Sequence, residues 1–253
     1  MFQLSDRCDI LRNTVMNPNE YEKRYCAYRE VYSRLGQADA AALGLENAEI
    51  VAHGIANIID RSAPVIIPGE LIVGVHFPIF EKQWGFSRQD ERDMELLRAC
   101  KISEEEIAKY FDIIESLPRA FHPGEHLFLK RVTPLLSEVE INSEREWAAV
   151  GRCIDSDHSV LEYEKVVKLG FGGILREIEE YEAKNGSNHL YRAMKEICRS
   201  ACGLGKKYAA EAQRLLDEDD PQYAKQDLLK IVSACSGVPE HGARTLHEAI
   251  QAI

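Results

Sequence analysis

Apolar residues recur at spacings of three and four along nearly the whole chain, which predicts a mainly α-helical protein. Tyr21, Tyr25, Tyr28, Tyr32 and Leu35 mark a first helix, with Asn17 as its cap and Pro18 at its first position. Ile50, Val51, Ile55, Ile58 and Ile59 mark a second, which stops before Pro64. The β-branched run Val65-Ile66-Ile67, the break Pro68-Gly69 and the run Leu71-Ile72-Val73-Gly74-Val75 predict one or two short strands. Ser87 and Ser103 then open helices, the latter boxed to Glu106 and carrying Ile107, Tyr110, Phe111, Ile114 and Leu117 up to Pro118.

Residues 118–158 are interrupted by Pro118, His122-Pro123-Gly124 and Pro134 and read as loops, so an internal boundary is placed there. Helical spacing resumes near Ser159. Gly170, Gly172 and Gly173 fall inside it, where they either break the helix or admit another backbone. From Leu190 through Met194, Ile197, Ala201, Leu204, Tyr208 and Ala212 to Leu215 the stripe runs for roughly seven turns. Asp220-Pro221 opens the next helix, with Tyr223, Leu228, Leu229, Val232 and Cys235, and Gly237 closes it. A last helix starts at the box Thr245 to Glu248 and carries Leu246, Ala249, Ile250 and Ile253. Neither Gly, Asn nor a basic turn finishes it, so the chain is expected to be part of a larger object.

A chain of 253 residues with 45% hydrophobic and 29% charged residues can bury a core without disulfide or metal. Its net charge of -11 counts against nucleic acid or an anionic membrane as partner. No run approaches the ~18 apolar residues of a membrane span, and Met1 to Arg7 holds no signal-peptide stretch, so the expected compartment is cytoplasm. Seven cysteines with no C-x-x-C pair suit reduced, buried thiols. The phosphate-binding glycine motifs and G-x-S-x-G are missing from the sequence, which removes nucleotide and serine-hydrolase readings.

Four groups carry candidate chemistry. Cys198 and Cys202 begin like the C-x-x-x-C-x-x-C run of an iron–sulfur loop, but Gly205 stands where the third thiolate belongs, so they read as core thiols. His122, Glu125 and His126 have zinc-protease spacing, which Pro123-Gly124 disrupts; a surface loop outweighs a loop metal site there. Asp155, Asp157, His158 and Glu162 form a titratable cluster suited to binding or proton transfer, with an acidic helix cap as the commoner use. The tyrosine stripe of the first helix reads as packing.

Four segments together resemble the N-terminal part of the pyruvate formate-lyase domain of glycyl radical enzymes, a group spanning pyruvate formate-lyase, glycerol dehydratase and choline trimethylamine-lyase. They are Pro68-Gly69-Glu70-Leu71-Ile72-Val73-Gly74; His158 through Glu162-Tyr163 to Gly170 and Gly173; Leu190-Tyr191-Arg192-Ala193-Met194; and Val238-Pro239 through Thr245 to Gln251. The resemblance covers nearly all of residues 1–253 as a partial domain. It implies outer helices and an incomplete portion of a ten-stranded α/β barrel.

In that family a backbone glycyl radical, installed by a radical-SAM activating enzyme, generates a thiyl radical on a cysteine that usually follows glycine. Here no cysteine follows glycine, and the only Arg-Val, Arg131-Val132, leads to Thr133-Pro134 where the radical glycine is needed. The resemblance therefore implies no catalytic residue in this chain, no C–C or C–N lyase activity alone, and a radical belonging to a missing part. His158 matches a histidine near the substrate in dehydratase-like members, with Leu161 and Glu162 replacing the family's proline and aspartate. His158 and Glu162 are thus the implied substrate-binding residues. The implied partner is the C-terminal remainder or a complementary chain, with self-association as a further option; a stand-alone helical interaction scaffold is the alternative reading.

Overall fold

The computed structural model describes residues 7–9, 11, 20–74, 86–116 and 162–253, and for 20–26 the backbone alone. Its helices with printed bounds are α1 Glu20–Ala42, α2 Asn47–Arg61, α3 Glu91–Ala99, α4 Glu104–Ser116, α5 Tyr163–Asn185, α6 His189–Glu218, α7 Lys225–Cys235 and α8 Leu246–Ala252. They divide into two compact units, one of Met1–Phe77 with Leu161–Ile253 and one of Pro78–Val160. The irregular stretch 118–158 lies outside the described residues.

The first unit is organised by α6, the helix that packs against α2, α5 and α7. Asn188 caps it by accepting a hydrogen bond from Tyr191 N at 2.9 Å, and its buried face runs through Ala193, Cys198, Ala201, Gly205, Ala212 and Leu215. Ala212 and Leu215 join Leu228, Ile231 and Cys235 of α7 in one core cluster. Each large aliphatic side chain buried there contributes about 1.5–3 kcal/mol before entropy is subtracted.

A glycine on each helix lets α1 and α2 approach closely. A Cβ on Gly36 would sit 2.8 Å from Asn57 Cβ, and one on Gly54 would sit 2.8 Å from Gln37 Cγ. Tyr28 and Tyr32 stack with centroids 5.7 Å apart, and Arg61 lies over Tyr32. This is the packing role expected for the described half of the tyrosine stripe.

In the second unit α3 and α4 bury Leu97, Cys100, Ile102, Ile107, Tyr110 and Phe111. Phe86 and Tyr110 meet edge to face at 6.4 Å, and Phe86 N donates to Tyr110 Oη at 3.2 Å. The box predicted at Ser103 is formed, with Ser103 N donating to Glu106 Oε2 at 3.0 Å and Glu106 N to Ser103 Oγ at 3.3 Å.

Three local expectations need correction. Among the described residues the fold is mostly helical and has no strand, although Val65-Ile66-Ile67 and Leu71-Ile72-Val73 were the predicted strand runs. Side chains occupy the backbone groups a neighbouring strand would use: Tyr223 Oη donates to Ile66 O at 2.9 Å, and the Gln251 carboxamide bonds both Val73 N (2.8 Å) and Val73 O (3.0 Å). Ser87 does not open a helix; Asp90 caps α3 instead, accepting from Arg92 N, while Ser87 N donates to Asp93. Asp220-Pro221 forms a turn, with Asp220 Oδ1 accepting from Gln222 N, and α7 begins at Lys225.

Candidate functional site

Of the residues singled out for chemistry, His122, Glu125, His126, Asp155, Asp157 and His158 lie outside the described residues. Glu162 is described. It is exposed at the start of α5, where its carbonyl accepts from Lys165 N at 3.1 Å and its carboxylate makes no cap bond. Among the described residues no group of three or more His, Cys, Asp or Glu is arranged to hold a metal ion.

Cys198 and Cys202 lie one turn apart on α6, the first buried and the second half-buried. Burial pushes the Cys198 thiol up to about 11 and also raises Cys202, which Glu240 raises further. Cys235 on α7 is pushed up to about 12, again by burial. A thiolate is the form that binds metal or attacks an electrophile, so these three groups are inert thiols at neutral pH, as the core-thiol reading of the first two holds.

Two constructions shape the region that follows Glu162. The first is a cradle for the loop 236–245. Gly170 breaks α5 at φ 65° and ψ 170°, a conformation that favours glycine. The loop backbone enters at that break: Phe171 N donates to Pro239 O at 2.8 Å, Gly172 N to Glu240 O at 2.9 Å, and Ala243 N to Val167 O at 2.8 Å. A Cβ on Gly170 would lie 2.4 Å from Glu240 O, and one on Gly205 of α6 would lie 2.1 Å from Val238 O. The glycine cluster thus does both things anticipated from it, breaking the helix and admitting a backbone. The Val238-Pro239 peptide is cis. Lys206 Nζ stands 2.6 Å from Glu240, which holds the Glu240 carboxyl below its usual range.

The second construction is a polar seam between α2 and α6. Arg192 donates to Glu49 from Nε at 2.6 Å and from Nη2 at 3.2 Å. That hydrogen bonding, working against the desolvation of a buried carboxylate, lowers the Glu49 pKa. One turn on, His53 Nδ1 is 2.5 Å from Glu196 Oε1, and further on Ser200 Oγ donates to Asp60 Oδ2 at 2.9 Å. Lys207 closes the seam by donating to Ile59 O at 2.7 Å and Asp60 O at 3.1 Å, two of the last carbonyls of α2, and to the carbonyl of its C-cap Ser62 at 2.6 Å. Burial lowers the Lys207 pKa.

Sequence reasoning assigned no role to Glu70, Lys207 or Gln251, although Glu70 and Gln251 fall in the segments that carry the resemblance. Glu70 is 6% exposed, accepts from Ile67 N at 2.7 Å and is pushed up to about 7 by burial. Its place after Pro68-Gly69 marked a turn, but nothing in the sequence marked the burial. Arg7 pairs with the buried Asp227 of α7, which brings residue 7 onto the same unit. The described arrangement therefore does structural work: it joins helices, fixes two non-helical segments and raises the thiols of Cys198, Cys202 and Cys235 above their usual range.

Residues 17–253 match the family model described as pyruvate formate lyase-like. Trans-4-hydroxy-L-proline dehydratase of Clostridioides difficile is 33% identical over 96 residues, which span 34% of this chain and 12% of that protein. Among solved structures, the glycerol-bound B12-independent glycerol dehydratase from Clostridium butyricum superposes with a TM-score of 0.63 at 23% identity, covering 99% of this chain and 33% of its own. A glycyl radical enzyme from Archaeoglobus fulgidus gives a TM-score of 0.62 at 18% identity over 98% of this chain and 33% of its own. The chain spans about a third of the length of these solved structures. Among the described residues no helix is long and apolar enough to cross a membrane.

Proposed function

The chain belongs to the pyruvate formate lyase-like family, and from that membership we propose that it is the N-terminal, helical portion of a glycyl radical enzyme of dehydratase or lyase type, inactive by itself. The observation that carries this reading is the coverage: nearly all of this chain aligns with one third of a glycerol dehydratase. The other two thirds would carry the cysteine and the radical glycine, on a complementary chain or in the remainder of a longer one. This portion would contribute framing helices and, as the resemblance implies, His158 and Glu162 toward a small hydroxylated substrate. The exposed carboxylate of Glu162, which makes no cap bond, supports that assignment. Partial apolar faces support the need for a complement: Leu246 and Ile250 on α8 are 77% and 50% exposed, and Ile253 just past its end is 64% exposed.

The test is anaerobic incubation of the purified chain with a radical-SAM activating enzyme and S-adenosylmethionine, read by electron paramagnetic resonance. The expected result is no glycyl doublet and no turnover of glycerol or trans-4-hydroxy-L-proline. A glycyl doublet on this chain alone would overturn the proposal. The alternative, an independent helical interaction scaffold, is favoured by the closed seam between α2 and α6 and predicts a monodisperse, non-aggregating protein by sedimentation velocity.

A further inference from the structure

We draw no further inference here: the strongest candidate, the bare apolar row of Leu246 and Ile250 on α8 continued by Ile253 past its end, carries nothing because nothing in the structure shows what covers it.

Discussion

The loop 236–245 and the segment 63–74 are both non-helical, both lie against α6, and are fixed by opposite means. The loop is gripped backbone to backbone, at points where glycine leaves no side chain to intervene. The segment is gripped by side chains: Tyr223 onto Ile66 and Gln251 onto Val73 reach in from far along the chain, and Glu70 folds back onto Ile67 from within it. A backbone lock tolerates no added atom, because neither partner can rotate away. A side-chain lock comes apart one hydrogen bond at a time.

The largest effect is therefore expected at Gly205→Ala, whose new methyl would meet Val238 O at 2.1 Å. A loss of about 3–5 kcal/mol is expected from urea denaturation followed by circular dichroism. Gly186→Ala sharpens the point from the other side: its φ of 82° is one that favours glycine, whereas Gly205 is helical, and nothing lies within 4 Å of a Cβ placed on it. Strain alone, at φ 82° and ψ 158°, should remove about 1–3 kcal/mol there. A loss at Gly205 no larger than that at Gly186 would mean that close approach to Val238 does not hold the cradle.

Glu70→Gln comes next and acts with the opposite sign. Burial raises the folded-state pKa from the ordinary 4.5 to about 7, so the native state holds its proton more tightly than the unfolded chain. Stability from this group is present below about pH 4.5, falls as the unfolded chain ionises, and is lowest above pH 7. The amide keeps an acceptor for Ile67 N but never ionises. Unfolding midpoints at pH 4.5 and pH 8 should show Glu70→Gln stabilising at the higher pH only, by at most about 3 kcal/mol. A variant gain that is the same at both pH values would contradict the assignment.

Gln251→Ala should remove both bonds to Val73 for a loss of about 1–2 kcal/mol, while Tyr223→Phe should lose about 1 kcal/mol. Amide exchange at Val73, followed by NMR, should accelerate in the first variant and not in the second. The smallest effect on folding is expected at Leu246→Glu with Ile250→Glu, within about 0.5 kcal/mol because both side chains are exposed. Sedimentation should nonetheless show less self-association than the parent chain if the bare row on α8 is sticky.

The same comparison explains what could be read from the sequence. The helical framework and the family were legible because periodic stripes such as Leu190 to Leu215, and ordered motifs such as Pro68 to Gly74, are local signals. The strands were misread for a physical reason. Val65 to Val73 has β-branched character, but the groups that complete its backbone come from residues 157 and 178 positions away, a relation no local window contains. Asp220-Pro221 suits a helix start because both residues are common there, but Asp220 forms an Asx turn to Gln222 instead. The glycine cluster at 170–173 announced a break, while its occupant, the loop at Pro239 and Glu240, could be found only in three dimensions. Of the implied substrate residues, Glu162 is placed at the head of α5 and His158 falls outside the described residues.

The discontinuity of the first unit has a consequence for biosynthesis. Glu49 must wait for Arg192, 143 residues later, before the α2–α6 seam can close. At ordinary translation speeds that interval is on the order of ten seconds. For that time α1 and α2 have only each other, and the tight crossing at Gly36 and Gly54 gives the nascent hairpin a way to shelter its oily surface until α6 emerges.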